Sequence, residues 1–143
     1  MNTFNMHIYA ADKPFYSGPC ESLVVPSLDG TYGIWANHSN IIIAIIPGSL
    51  IYRLPGQQDE VVAVSHGLVK VENNDVLVLV DSLERLDEID TNRAQRAADA
   101  AREALLQNKS MQEFRIAQAH LARALNRLRV KGNYSLHQGW DKK

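Results

Sequence analysis

The stretch Leu83 to Ala94 constrains this chain most, because the spacing of its apolar residues changes period there. Upstream, apolar residues alternate or stand in short Val/Ile blocks, which is the pattern of strands. Downstream they recur every three or four positions, Ala and Leu dominate, and no proline occurs. Asp87, Glu88 and Asp90 sit at the join. Acidic residues suit a helix start, where unpaired backbone N–H groups carry partial positive charge. The pattern predicts a strand-built domain over 1–86 and a helical domain over 87–131. The polar tail 132–143 is expected to be disordered.

In the first part, Phe4, Met6 and Ile8 alternate with Asn5, His7 and Tyr9, as on a half-buried strand. Ala11 to Pro14 reads as a turn, Ser17-Gly18-Pro19 as a break, and Asp29-Gly30 and Asn73-Asn74-Asp75 as tight turns. Between them lie Leu23 to Val25, Tyr32 to Trp35, Ile41 to Ile46, Leu50 to Leu54, Val61 to Val64, Leu68 to Val71 and Val76 to Val80. About ten short strands separated by frequent turns predict a β-sandwich or flattened barrel. Gly33 and Gly67 stand inside apolar stretches, where glycine marks a bulge or a close backbone approach.

In the second part, α-helical spacing begins near Asp87 and runs to about Leu106 through Ala94, Ala97, Ala98, Ala101, Ala104 and Leu105. Gln107-Asn108-Lys109 breaks it, and Ser110 with Glu113 has the form of a capping box. A second helix carries Phe114, Ala117, Leu121, Ala124, Leu125 and Leu128 on one stripe. Its end is expected at Lys131-Gly132. The short break makes the pair an antiparallel hairpin. Its alanine seam buries little area, so the pair alone is marginal and suits a two-state element. The fold class is therefore α+β in two parts, a β-sandwich followed by a two-helix hairpin.

Charge and chemistry exclude several roles. Residues 1–86 hold four Lys/Arg against nine Asp/Glu, and residues 87–143 hold eleven against seven, so a net charge of −1 hides opposite halves. Such a split suits a partner-binding surface. The basic last helix lacks interleaved aromatics, which argues against a nucleic-acid partner. The five histidines are scattered, and no nucleophile elbow or phosphate loop occurs, so neither catalysis nor a metal site is expected. The single Cys20 forbids an intramolecular disulfide. The longest apolar run, Ile41 to Ile46, falls far short of the ~20 residues that span a bilayer, and no secretory leader is expected.

Specific motifs then narrow the reading. Gly30-Thr31-Tyr32-Gly33-Ile34, His38, Ile42 to Pro47-Gly48, and Ser65-His66-Gly67-Leu68-Val69-Lys70-Val71 follow in an order and spacing that resemble the ε subunit of F-type ATP synthases, from about Phe4 to Val130. That family usually has Pro-Gly before the histidine and a proline soon after. Here Ala36-Asn37 precede it and Ser39-Asn40-Ile41 follow. The resemblance implies a non-catalytic subunit of the central stalk, between the γ subunit and the membrane ring of c subunits. Asp29, Gly30 and Thr31 then resemble the ring-facing contact, and His38 lies in the segment associated with stalk contacts.

Ile89-Asp90-Thr91-Asn92-Arg93-Ala94 is similar to that family's ATP-binding motif. The resemblance implies that Glu84, Ile89, Asp90 and Ala94 surround the nucleoside while Arg93, Arg123 and Arg127 meet the phosphates. ATP, with or without Mg, would be a regulatory ligand, and the helices would restrain hydrolysis by reaching the catalytic β and α subunits. Independently of family, Arg123 and Arg127 are four apart on one helix face, where two guanidinium forks suit polyphosphate oxygens. The expected location is peripheral, at the cytoplasmic face of a bacterial membrane rather than a plastid thylakoid. The main alternative is a free-standing ATP-sensing domain outside any synthase.

Overall fold

A computed structural model describes residues 2–11, 13–107 and 111–141, with only the backbone described for Gln107 and the final eight. The chain divides into two compact units, residues 1–85 and 86–143. The first is a sandwich of two five-stranded sheets. Its strands are β1 (Phe4–Ala10), β2 (Lys13–Cys20), β3 (Ser22–Ser27), β4 (Gly30–Trp35), β5 (Ile41–Ile45), β6 (Gly48–Arg53), β7 (Asp59–Val64), β8 (Gly67–Glu72), β9 (Asp75–Val80) and β10 (Leu83–Arg85). One sheet runs β2-β1-β9-β8-β5 and the other β10-β7-β6-β3-β4. Every pairing is antiparallel except β1 with β9, which is parallel.

The period-two pattern explains the core. Phe4, Met6 and Ile8 of β1, Val76, Val78 and Val80 of β9, and Val69 and Val71 of β8 are buried on the inner face of the first sheet. Leu23, Val25, Ile34, Leu50, Tyr52, Val62 and Val64 are buried in the second, and both sets belong to one apolar cluster. Asn73 and Asn74 make the expected hairpin turn, both with positive φ (51° and 64°). Positive φ at both central residues matches the twist of the flanking strands, and asparagine tolerates it. Gly67 is a close approach, since a Cβ there would run into the carbonyl oxygen of Leu79 and the backbone of Val80. At Gly33 a Cβ would meet the ring of Trp35.

One expectation in the sandwich is corrected. Ser17-Gly18-Pro19 does not break the chain: β2 runs unbroken through it, from Lys13 to Cys20. Proline lacks an N–H, so it interrupts a central strand, but β2 lies at the sheet edge and is paired on one side only, where proline is tolerated. The turn before it is entered through Ala11 (φ 51°), while Asp12 lies outside the described residues.

The second unit holds a 3-10 turn (Leu86–Glu88), α1 (Thr91–Gln107) and α2 (Met111–Asp141). Helix α1 therefore begins at Thr91, not near Asp87. Helix α2 does not stop at Lys131-Gly132; the tail expected to be disordered continues it to Asp141. Glycine ends a helix when it takes positive φ, and Gly132 does not. No proline follows to enforce a stop. Ser110 and its capping box lie outside the described residues.

Cys20 sits where the chain crosses from the first sheet to the second. It is fully buried, and its thiol lies 3.1 Å from the Ser22 carbonyl and 3.3 Å from that of Arg53. Burial raises its pKa above the ordinary thiol value and outweighs the opposing influence of the surrounding backbone at Ser22, Arg53 and Glu21. The folded state thus holds the proton to higher pH than the unfolded chain. The resulting stability is complete below the ordinary thiol pKa and is lost as pH rises through the folded one. We expect Cys20 to resist iodoacetamide in the native protein at pH 8 and to react fully in denaturant, as mass spectrometry would record. Stability from urea unfolding should fall above about pH 8.5 in the parent and fall less in Cys20→Ala.

Candidate nucleotide site and the loops beside β4

The nucleotide motif is built around the start of α1. Asp90 is its N-cap: the carboxylate Oδ1 accepts the Arg93 backbone N–H at 3.1 Å, and the Asp90 carbonyl accepts the Ala94 N–H at 2.9 Å. A capping aspartate explains why α1 starts one residue later and why Asp87 and Glu88 stay outside it in a 3-10 turn. Ile89 and Ala94 are buried, whereas Asp90 and Arg93 are exposed. Arg93 therefore projects from the first turn of α1. Asp90 and Arg93 meet through backbone capping in addition to whatever their charges contribute.

Helices α1 and α2 pack on each other. Ala94, Ala98 and Ala101 are buried on α1, and Ala117 and Ala124 on α2, with Leu105, Phe114, Leu121 and Leu128 half-buried. Ala97 and Ala104 are exposed and Leu125 is 38% exposed, so the buried stripe is narrower than the sequence suggested. Arg123 is exposed and Arg127 half-buried, one turn further along α2. A four-residue step is about 6 Å of helix rise and keeps the two guanidinium groups on one face of α2. The residues present fit a triphosphate: cations on both members of a packed helix pair, and small buried alanines that let the helices approach. Glu84 lies half-buried on β10, opposite Ala63 of β7.

A contact absent from the sequence reading ties this unit together. Lys131 Nζ donates to the Leu86 carbonyl at 2.6 Å, and the same oxygen accepts the Ile89 N–H at 3.3 Å. A lysine near an expected helix end reads as a solvated charge, and no local signal links it to a residue 45 positions away.

On the sandwich, Asp29, Gly30 and Thr31 are exposed at the β3–β4 turn. Leu28 beside them is 80% exposed, and the Ser27 hydroxyl donates to the Gly30 carbonyl at 2.6 Å. Gly30 has φ 114° with open space around it, a conformation that favours glycine. His38 follows the same strand. Its Nδ1 is 2.7 Å from the Ser39 carbonyl, which only accepts, so Nδ1 carries the proton. In the neutral ring Nε2 then accepts the Tyr32 hydroxyl at 3.2 Å, with the two rings 5.6 Å apart. Tyr32 thus joins the exposed turn to His38.

Comparison with known proteins agrees with this architecture half by half. The family profile described as ATP synthase, Delta/Epsilon chain, beta-sandwich domain matches residues 3–86. Its companion, the long alpha-helix domain, matches residues 87–132. The chain belongs to the ATP synthase delta/epsilon family. It is 37% identical over 131 residues to the ATP synthase epsilon chain of Nitratidesulfovibrio vulgaris strain DP4, covering 92% of this chain and 97% of that one. It is 38% identical to that of Laribacter hongkongensis, covering 91% and 94%. The fold matches a chain in the solved Euglena gracilis mitochondrial ATP synthase (OSCP/F1/c-ring) with a TM-score of 0.74 at 19% identity, covering 96% of this chain and 83% of that one. Epsilon chains are non-catalytic subunits of the synthase, which accords with the lack of a catalytic motif in the sequence.

The cap at the start of the epsilon helices generates a prediction. Asp90→Ala should remove about 1 kcal/mol of helix-end stability, within a usual range of 0.5–2. Hydrogen exchange at the Arg93 amide should accelerate roughly fivefold, while amides of β8 and β9 stay protected. Unchanged exchange at Arg93 would show that the cap contributes nothing.

Proposed function

We propose that this epsilon chain couples rotation between the γ subunit and the c-ring through its sandwich and restrains ATP hydrolysis through its helices. ATP is the regulatory ligand of the hairpin in this reading. The observation that carries it is the alanine seam between α1 and α2. Alanines at Ala98, Ala101, Ala117 and Ala124 bury little apolar surface per residue, so the packed hairpin is only slightly favoured. A ligand that bridges the two helices then has leverage over their arrangement.

Arg93, Arg123 and Arg127 would hold the phosphates, and Ile89, Asp90 and Ala94 would surround the nucleoside. The triphosphate supplies negative charge that offsets the repulsion among these arginines. A ligand at 100 times its dissociation constant stabilises the state it binds by about 2.7 kcal/mol, enough to reset a near-balanced equilibrium. When ATP falls, the hairpin opens and its basic second helix reaches acidic surface on the catalytic α and β subunits. Hydrolysis then stops when ATP is scarce. The exposed turn of Asp29, Gly30 and Thr31 faces the c-ring, and the His38 loop faces the stalk. The chain works as a peripheral subunit at the cytoplasmic face of the bacterial membrane.

Two experiments test this. Arg123→Ala and Arg127→Ala should each weaken ATP binding by about 1.5–3 kcal/mol in calorimetric titration, and AMP should bind more weakly than ATP. Unchanged affinity in both variants removes these arginines from the site. In the assembled synthase, truncation after Leu86 should raise ATP hydrolysis at low ATP while ion pumping stays coupled. Equal rates at every ATP concentration would overturn the inhibitory role, and loss of γ binding would overturn docking through the sandwich.

A further inference from the structure

The loop between β4 and β5 crosses from the second sheet to the first and carries His38 between two asparagines. Both asparagines are held by the β8–β9 turn. Asn74 Oδ1 accepts the Asn37 backbone N–H at 2.7 Å, and Asn40 Oδ1 accepts the Asn73 backbone N–H at 3.0 Å. Asn74 does more than cap the loop. Its Nδ2 donates to the Thr3 carbonyl at 3.0 Å, and its own carbonyl accepts the Asn5 N–H at 3.2 Å. An N–H only donates and a carbonyl only accepts, so these partners leave the side-chain amide a single orientation. Asn37 itself sits at φ 62°, in the left-handed region that asparagine tolerates better than most L-residues.

We propose that Asn74 is the positioning residue for the His38 loop. Through the Asn37 N–H it fixes the entry to the loop and so presents His38, already oriented by Tyr32 and Ser39, to the neighbouring stalk subunit. The turn alone does not require this side chain. Glycine serves a positive-φ position equally well, so the asparagine amide contributes what glycine lacks, namely bonds to two other segments. The docking half of this inference rests on the reading that the His38 loop meets the γ subunit.

The test uses the full chain and three variants. Asn74→Gly keeps the turn conformation and removes both side-chain bonds. Asn74→Asp keeps an acceptor for Asn37 and loses only the donation to Thr3. His38→Ala probes the contact itself. In Asn74→Gly, hydrogen exchange at the Asn37 amide should rise about fivefold to tenfold, as for loss of one hydrogen bond, and affinity for isolated γ should fall by a similar factor. The His38 ring nitrogen shifts should move toward those of a freely exchanging imidazole. Asn74→Asp should keep Asn37 protected, a rescue that turn stability alone does not predict.

Unchanged Asn37 exchange in Asn74→Gly, or lost protection in Asn74→Asp, overturns the positioning role. Faster exchange with unchanged γ affinity, while His38→Ala weakens binding, overturns the link from positioning to docking. If His38→Ala leaves γ affinity intact, the contact reading itself fails, and a docking role for Asn74 fails with it.

Discussion

Phe4, Met6 and Ile8 reach the core because β1 lies parallel to β9, with Asn5 beside Asp75 and Ala10 beside Val80. That pairing inserts the first strand of the chain next to the ninth, inside the sheet and not at its rim. With β2 as the outermost strand, β1 is paired on both sides and can be wholly apolar on its inner face. The remaining strands pair mostly with near neighbours in hairpins. The one distant, parallel pairing closes the layer over Leu23, Leu50 and Val62 of the opposite sheet. It also brings the chain's start to the β8–β9 turn, and so makes the contacts of Thr3 and Asn5 with Asn74 available.

The helical unit follows a different rule. Its contact surface is narrow and lined by alanine, so close approach replaces bulk as the source of packing. Local devices then matter more than they do in the sandwich. Asp90 caps α1, and Lys131 fastens the 3-10 turn to α2 through Leu86. Each contributes on the order of 1 kcal/mol. In a unit with little buried area that is a sizeable share of what holds it together. A strongly packed Leu/Phe seam would make such a unit rigid and insensitive to a ligand.

The His38 loop shows how one family plan is met with different residues. Where relatives usually place Pro-Gly before the histidine and a proline after it, this chain has Ala36-Asn37 and Asn40. Proline restricts a loop through its own ring, and glycine permits positive φ. Here Asn37 adopts that conformation at φ 62° and is held from outside by Asn74, while Asn40 holds Asn73 in return. Stiffness supplied within the loop is replaced by hydrogen bonds to a second turn.

The sequence by itself determined the two-part architecture, the alternation that sorts core from surface, the Asn73-Asn74 turn and the character of both helices. These rest on period and turn chemistry, which act over a few residues. The change of period near Asp87 was legible, but the start of α1 was set by which carboxylate caps it, and three acidic residues competed for that role. The unbroken course of β2 past Pro19 and the run of α2 beyond Gly132 depended on where each residue stands. A proline is harmless at an edge, and a glycine continues a helix unless its φ is positive. Of the candidate site residues, the arginines and the His38 segment stand out in the sequence by spacing and likeness. Tyr32, Asn74 and Lys131 do not, because each acts through a partner that only the folded chain brings near: 6, 37 and 45 residues away. Hydrogen bonds across such separations leave no periodic trace, so only the tertiary structure decided them.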